Sequence, residues 1–424
     1  VTMTAMPQEA PAMTDLSTLR VNGDRLWQRL MAIGAIGETA KGGSNRQALT
    51  DEDQAGRALF LDWARDAGCS VRADAVGNLF VRRAGLRDVA PVMTGSHLDT
   101  QPTGGKFDGI LGVLGGLEVI DTLNDAGVET DRPLEVVVWT NEEGARFDTA
   151  MMGSAVWAGV MPLAEARALR DRAGVSVGDE LDRLGYDAAE TVEPHEVAAA
   201  FELHIEQGPV LEDAGVPIGV VTGVQHMSRH RIVVEGEECH AGPTPMGLRR
   251  DPMMALARFL PAFYAVADAQ APEGRVTVGF IDARPGSGNT VPGRLELTVD
   301  IRHPQAARYD AMVLACEAAV ADACAALNLP VTQARFWHAP GVTFAPECIE
   351  AVRAAIGITR HDHIELVSGA GHDACNVAPL APTSMIFVPC RGGISHNEGE
   401  WATPEHCAAG ADVLLHAMLH AAGT

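Results

Sequence analysis

Short apolar runs that end in clusters of polar side chains dominate the hydrophobic pattern of this chain. They occupy residues 92–93, 134–139, 199–205 and 384–388, and the β-branched run at 134–139 is typical of a strand buried on both faces. The first run is followed by a loop and then by apolar residues at helical spacing, interrupted by several glycines. This order of strand, loop and helix predicts an α/β domain, in which ligands bind at the carboxyl ends of the strands.

The pattern changes after residue 219. It predicts strands at 219–223, 231–236, 275–281 and 294–301 and helices at 253–267 and 305–326. Four strands and two helices between two α/β segments indicate an inserted α+β domain. We therefore expect one α/β domain built from residues 1–218 and 338–424, with the insert at 219–337. Residues 1–20 are predicted to form an N-terminal tail.

Charge and cysteine content narrow the functional classes. The chain has 424 residues and a formal net charge of −24 at pH 7, which argues against nucleic acid or an anionic membrane as a partner. No apolar run reaches the roughly 18 residues that a membrane span needs, and no secretory signal is evident. Eight scattered cysteines without a C-x-x-C pair predict reduced thiols rather than a disulfide framework or a cysteine zinc site. We expect a cytoplasmic protein.

Five nitrogen and oxygen donors follow the ends of predicted strands, namely His97, Asp108, Glu143, His204 and His396. Taken singly, each has an ordinary explanation, because loop acids are usually solvated and a histidine between apolar residues usually lies in a core. Taken together, and with one carboxylate shared, they would give each of two divalent cations three protein ligands. Such a pair lowers the pKa of a bridging water and polarises a carbonyl group. Zinc suits these donors best, and manganese, cobalt or nickel could replace it.

Two further acids lie beside these donors. Asp99 is two residues from His97, so on an extended strand end its side chain could accept the second ring N–H of His97. Glu142 directly precedes Glu143 and could act as a general base that takes a proton from water and returns it to a leaving nitrogen. A glycine loop ending at Gly371 precedes a predicted helix whose first amides could bind an anion. The combination predicts a metal-dependent hydrolase.

Seven short motifs follow one another along the chain: His97-x-Asp99, Phe107-Asp108-Gly109, Asn141-Glu142-Glu143-Gly144, His204-Ile-Glu-Gln-Gly208-Pro209, His240-Ala-Gly-Pro-Thr-Pro-Met, Gly371-His-Asp-Ala and Gly392-Gly-Ile-Ser-His396. In this order they closely resemble the hydantoinase/carbamoylase family of dinuclear zinc amidohydrolases, over nearly the whole chain. That family is related to the aminopeptidase-like zinc peptidases and includes N-carbamoyl-L-amino acid hydrolases, β-ureidopropionases and allantoate amidohydrolases.

The resemblance implies an aminopeptidase-like catalytic domain with a mixed sheet flanked by helices, and an inserted α+β domain that serves as lid and homodimer interface. It implies that one metal is bound by His97 and His204 and the other by Glu143 and His396, with Asp108 bridging them. It also implies Glu142 as the base and Asp99 as the hydrogen-bond partner of His97.

The resemblance also implies the groups that bind substrate. His240 and Asn289 would bind the developing oxyanion, in their own active site or in that of the neighbouring subunit. Arg302 would bind the substrate carboxylate, a task that suits its forked guanidinium. Gln207 and Gly371 would make further substrate contacts.

The implied reaction is hydrolysis of the carbamoyl C–N bond of an N-carbamoyl amino acid to amino acid, ammonia and carbon dioxide. The loop at 99–108 looks most like the β-ureidopropionase branch, and its Gln101, Pro102 and Lys106 differ from the allantoate branch. The alternatives are an allantoate amidohydrolase, a dipeptidase or aminoacylase of the same wider fold, and a binding protein without catalytic metals. The segment at 224–230 is richer in His and Arg than in relatives, so it could alter specificity or simply face solvent.

Overall fold

The computed structural model of this protein describes residues 15–186 and 194–424. The chain divides into two compact units, the first formed by residues up to Thr222 together with Phe344–Thr424 and the second by Gly223–Thr343. The sequence predicted an insert at 219–337, so the observed borders lie a few residues further along the chain at both ends. Residues 1–14 of the predicted tail lie outside the described residues.

In chain order the helices are α1 (Gly23–Gly34), α2 (Asp51–Asp66), α3 (Ile110–Asp125), α4 (Met152–Trp157), α5 (Leu163–Ala168), α6 (Val177–Leu184), α7 (Val210–Ala214), α8 (Pro252–Asp268), α9 (Ala306–Ala325), α10 (Pro346–Thr359), α11 (Ala374–Val377) and α12 (Pro404–Ala422). The strands are β1 (Ser70–Ala73), β2 (Leu79–Arg83), β3 (Val92–His97), β4 (Leu134–Trp139), β5 (Ala199–Ile205), β6 (Ile218–Val224), β7 (His226–Glu235), β8 (Cys239–His240), β9 (Arg275–Arg284), β10 (Thr290–Val291), β11 (Arg294–His303), β12 (Val331–Ala339), β13 (Val342–Thr343), β14 (His363–Ser368) and β15 (Thr383–Val388).

The larger sheet has the strand order β1-β2-β4-β3-β5-β15-β6-β13, and β14 pairs with β6. Its four central strands, β4, β3, β5 and β15, are parallel, whereas β2 and β6 pair with them in the antiparallel sense. The predicted mixed sheet flanked by helices is therefore confirmed. Because the central strands are parallel, their carboxyl ends meet at one edge of the sheet.

Helix α3 packs unusually close to this sheet because glycines face it. A Cβ atom at Gly112 would overlap the backbone carbonyl of Leu203 on β5, and one at Gly116 would lie 2.7 Å from the methyl group of Thr94 on β3. Glycine lowers helix propensity by about 1 kcal/mol relative to alanine, and the close packing offsets that loss, as the sequence predicted.

The second unit contains a four-stranded antiparallel sheet in the order β12-β7-β11-β9. Alternate residues of β11 are buried in one core with residues of α8 and α9. The strand expected at 219–223 is present, but its assignment to the insert was wrong. It is part of β6 and pairs with β15 in the larger sheet. The fourth strand of the smaller sheet is instead β12, at its edge. The sequence pattern did not predict β12, because side chains such as Phe336 are exposed and the strand has no buried positions that would alternate with exposed ones.

The His- and Arg-rich segment at 224–230 makes contacts within the second unit. The His226 ring stacks on Tyr309 with centroids 5.4 Å apart, and the Arg229 guanidinium lies 5.0 Å from the centre of the Trp337 ring. His230 is buried and its Nε2 lies 2.8 Å from Ser228 Oγ. These side chains therefore contribute to packing and hydrogen bonding around β7.

All eight cysteines carry free thiols, and six of them are buried. Burial raises the pKa of the Cys348 thiol to about 12, so this side chain behaves as a small apolar group at neutral pH. Among the described residues, no helix combines the length and the apolar character needed to cross a membrane.

Candidate metal centre

The structure brings the five predicted donors together in the first unit, at the carboxyl edge of the parallel strands. His97 ends β3 and His204 lies near the end of β5, while the other three are on the loops that follow β3, β4 and β15. Among the described residues, three groups of three side chains have ligand atoms close enough to hold an ion, and two of these groups consist entirely of the predicted donors, the third being Glu202, His204 and His372. We call His97, Asp108 and His204 the inner triad, and Asp108, Glu143 and His396 the outer triad.

The inner triad is buried. Asp108 Oδ1 lies 3.1 Å from His204 Nε2 and 3.7 Å from His97 Nε2. Both ring tautomers are set by the main chain, because the Nδ1–H groups of His97 and His204 donate to the carbonyls of Asp99 and Ile205, each at 2.9 Å. Burial lowers the pKa of His97 to about 4. A neutral imidazole held in this way turns its Nε2 lone pair toward Asp108, which is the form that binds a metal.

The outer triad is more open. His396 Nε2 lies 3.5 Å from Asp108 Oδ2 and 3.2 Å from Glu143 Oε2, and the His396 side chain is 51% exposed. Gln101 binds both oxygens of Glu143, through its backbone N–H at 3.2 Å and its side-chain amide at 2.8 Å. No sequence motif indicated this role for Gln101.

Asp108 belongs to both triads and is held from several sides. Its Oδ2 accepts the Gln207 amide at 2.7 Å and the Ser395 hydroxyl. Glu400 accepts the backbone N–H groups of Phe107 at 2.9 Å and Asp108 at 3.1 Å. Burial, with the Asp108 charge nearby, raises the pKa of Glu400 to about 7. Gln207, which the resemblance implied as a substrate contact, thus donates to the shared ligand here.

The predicted base, Glu142, lies beside the inner triad. Its Oε2 is 3.4 Å from His97 Nε2. The Asp99 carboxylate accepts the backbone N–H groups of Glu142 and Glu143, each at 3.3 Å. The expectation that this carboxylate accepts the ring N–H of His97 is corrected, because the Asp99 backbone carbonyl does so.

The donor set fits divalent cations on chemical grounds. Burial and then the nearby Asp373 carboxylate raise the pKa of Glu142 well above its usual range, and burial with the Asp108 charge does the same for Glu143. Several carboxylates buried this close together favour bound positive charge, which is either protons or a cation. The neutral His97 ring, whose Nε2 lone pair is turned toward the same space, favours the cation.

A second network of polar side chains is centred on Glu202, two residues before His204 on β5. Glu202 accepts the Ser96 hydroxyl at 2.7 Å and the backbone N–H of Ala374 at 2.9 Å. The anion predicted at the start of the four-residue helix α11 is therefore the Glu202 carboxylate of the protein itself. Glu202 was not among the predicted site residues, although its position two residues before His204 on a strand places both side chains on one face.

The motif at 371–374 contributes to the same network. Gly371 is partly exposed and precedes His372, which is buried with its ring centroid 4.6 Å from that of His204. Asp373 is buried, and its carboxylate accepts the hydroxyl of Ser154. Burial and the nearby Glu202 carboxylate raise the pKa of Asp373 well above its usual range.

The remaining predicted residues belong to the second unit. His240 is exposed on β8 opposite Thr290 of β10, and the neighbouring Ala241 N–H donates to the Asn289 carbonyl at 2.9 Å. His240 and Asn289 therefore lie on one small two-stranded element. Arg302 on β11 donates to both oxygens of Asp300, at 2.6 and 3.2 Å.

Comparison with known proteins adds the family. The sequence profile of peptidase family M20/M25/M40 matches residues 93–420. An N-carbamoyl-L-amino-acid amidohydrolase of Rhizobium meliloti is 48% identical, with the match covering 95% of this chain and 97% of the relative. The enzyme of the same name from Geobacillus stearothermophilus is 39% identical over 94% of this chain and 98% of its own. An allantoate deiminase of Arabidopsis thaliana is 32% identical over 84% of this chain and 74% of its own.

Solved structures support the same family assignment. A hydantoinase/carbamoylase family amidase from Burkholderia multivorans superimposes with a TM-score of 0.91 at 51% identity, covering 96% of this chain and 99% of that one. Both the profile match and the relatives span most of the chain. The protein therefore belongs to peptidase family M20/M25/M40 and, within it, to the hydantoinase/carbamoylase amidases.

Proposed function

We propose that this protein is a dinuclear metal-dependent amidohydrolase that removes the carbamoyl group from N-carbamoyl-L-amino acids. The observation that carries the proposal is the position of Asp108, whose two oxygens face the inner histidines on one side and His396 on the other. Glu142 lies beside this arrangement with no place in either triad. A ligand shared by two cations and a separate base are suited to hydrolysis of an unactivated C–N bond.

The inner triad would hold one divalent cation and the outer triad the other, with zinc as the proposed metal and manganese, cobalt or nickel as replacements. Bound there, the two cations would polarise the carbamoyl oxygen and make water more acidic. The protein's own contribution is to keep His97 neutral and to fix the position of the shared carboxylate.

Glu142 performs the proton transfers of the proposed reaction. It takes one proton from the water that adds to the carbamoyl carbon. The bond between that carbon and the amino acid nitrogen then breaks, and Glu142 returns the proton to the departing nitrogen. The products are the free amino acid and carbamic acid, which decomposes to ammonia and carbon dioxide. Burial supports this role, because it raises the pKa of the Glu142 carboxyl well above its usual range and so makes the carboxylate a better proton acceptor.

Several further residues are proposed to bind substrate. His240 and Asn289 are proposed to bind the oxyanion and Arg302 the substrate carboxylate, with the Arg302 guanidinium oriented by its two hydrogen bonds to Asp300. Gln207 and Gly371 are proposed as further contacts, and Gln207 Oε1 is a buried acceptor without a partner among the described residues. The second unit would also act as lid and homodimer interface of a cytoplasmic enzyme.

The choice among substrates is supported by the names of relatives. Both bacterial relatives are named for N-carbamoyl-L-amino acids, whereas the loop at 99–108 pointed to the β-ureidopropionase branch. We therefore place N-carbamoyl-L-amino acids first and N-carbamoyl-β-alanine second. Allantoate remains a third candidate because of the plant relative.

The test is ammonia release from N-carbamoyl-L-methionine, N-carbamoyl-β-alanine and allantoate, with a dipeptide as control. Enzyme treated with EDTA is assayed alone and after addition of Zn²⁺ or Mn²⁺. Metal-dependent release from the first compound at the highest kcat/KM supports the proposal. Cleavage of the dipeptide alone, or hydrolysis that survives complete metal removal, would reject it.

A further inference from the structure

Glu143 and His396 are the two ligands that belong only to the outer triad, and Gln101 holds Glu143 in place. Its backbone N–H and its side-chain amide donate to different oxygens of Glu143, at 3.2 and 2.8 Å. Two donors from one residue fix both the position and the plane of a carboxylate. A glutamate side chain otherwise loses about 1.5–2 kcal/mol of rotamer entropy when it is ordered, so a preset orientation favours ion binding.

The outer triad depends on such support more than the inner triad does. The inner histidines are almost fully buried, and each ring is fixed by a hydrogen bond to a main-chain carbonyl. In contrast, His396 is half exposed and has a positive φ of 54°, in a loop where Gly392 and Gly393 also have positive φ. An exposed ligand on such a loop contributes less to a rigid site, so the orientation of Glu143 matters more.

We propose that Gln101 is a positioning residue that sets the affinity of the outer triad for its divalent cation. The inference rests on the proposed function, since it takes both triads as cation sites. Oxygen Oε2 of Glu143 accepts Gln101 and lies 3.2 Å from His396 Nε2. A carboxylate oxygen has two lone-pair sites, so Oε2 can accept the amide and still offer a lone pair to a cation.

The chemistry of the amide suits this role. Gln101 donates a hydrogen bond that stabilises the charged form of Glu143, and it carries no charge that would repel a cation. Loss of a hydrogen-bonding partner of a metal ligand typically weakens metal binding about 10–100-fold. Because Gln101 contacts Glu143, and Glu143 is absent from the inner triad, that loss should be confined to one of two bound ions.

The test compares Gln101→Met with the wild-type enzyme. Methionine has nearly the same length and shape as glutamine but lacks the amide, while the backbone hydrogen bond is kept. Gln333→Met is the matched control, because Gln333 is also partly buried and donates one hydrogen bond, to the Glu317 carbonyl at 3.1 Å in the second unit. Metal-free protein is titrated with Co²⁺ by equilibrium dialysis, with bound metal measured by elemental analysis and visible absorption.

We expect wild type and Gln333→Met to bind two Co²⁺ per chain with the same affinities. In Gln101→Met one Co²⁺ should bind as in wild type and the other about 10–100-fold more weakly. Unchanged affinity for both ions, equal weakening of both, or fewer than two ions on the wild type would overturn the inference. A wild-type enzyme that binds two Co²⁺ but hydrolyses no carbamoyl compound would instead reject the proposed function alone.

Discussion

The Nδ1–H of His97 donates a 2.9 Å hydrogen bond to the backbone carbonyl of Asp99, while the Asp99 carboxylate accepts two backbone N–H groups from the loop after β4. The main chain therefore sets the tautomer of a metal ligand, and the side chain sets the positions of Glu142 and Glu143. One residue links the two loops on which metal binding and proton transfer depend.

Asp99→Asn should lower kcat while the inner triad keeps its ion. The asparagine oxygen can accept one of the two N–H groups, but the NH₂ group faces the other, and an unsatisfied donor costs about 1–3 kcal/mol. If that cost misplaces Glu142, kcat falls about 10–100-fold. Steady-state kinetics and metal analysis of the same samples provide the measurement. Loss of both ions would contradict a role limited to the loop after β4.

Glu142→Gln should retain both ions and lose turnover by about 10²–10⁴-fold, because the base is removed while every proposed ligand remains. The measurement is kcat with N-carbamoyl-L-methionine together with metal content. Glu129→Gln, which removes the same charge from an exposed position, is the control and should be indistinguishable from wild type. Substantial turnover by metal-loaded Glu142→Gln would assign the proton transfers to another group.

Gly105→Ala should damage the site without removing any donor. A Cβ atom at residue 105 would overlap the Glu400 carboxylate, which holds the backbone of Phe107 and Asp108. We expect weaker metal binding and a lower melting temperature. The control is Gly357→Ala, where open space within α10 should instead make the substitution neutral or stabilising by about 0.5–1 kcal/mol. Normal metal binding by Gly105→Ala would show that Glu400 does not fix the shared ligand.

A pH-dependent contribution to stability is expected from Asp412 on α12, which belongs to neither triad. Burial raises its pKa from 3.8 to about 6, and its Oδ1 accepts the Val21 N–H at 2.8 Å. The raised pKa means that the folded state gains stability from the protonated form below about pH 4 and loses it as the pH rises through 6. Asparagine can accept the same N–H and stays neutral.

Asp412→Asn should therefore become more stable relative to wild type as the pH increases. Between about pH 5 and pH 7.5 the difference should grow by on the order of 1–2 kcal/mol, followed as the difference in melting temperature. A difference that stays constant with pH would mean that the carboxyl titrates normally in the folded protein.

The convergence of the five donors could be predicted because each lies at the end of a strand or in the loop that follows one, and parallel strands end at a common edge. The groups that hold those donors could not. Glu400 reaches back 293 positions to Phe107, and Gln101 meets Glu143 across two loops, so neither contact follows from local spacing. Edge strand β12 escaped prediction for a different reason, since periodicity reports burial and an exposed edge has little of it.

The glycines of α3 determine distances within the metal centre. They fix how near this helix lies to β3 and β5, the two strands that carry the inner histidines, and at its first turn a Cβ atom on Gly109 would overlap the His97 ring. Asp108 directly precedes that turn. The distance between α3 and the sheet therefore determines how far the shared carboxylate lies from the His97 and His204 rings. A larger side chain at Gly112 or Gly116 would widen these distances and weaken ion binding, although every donor atom would still be in the chain.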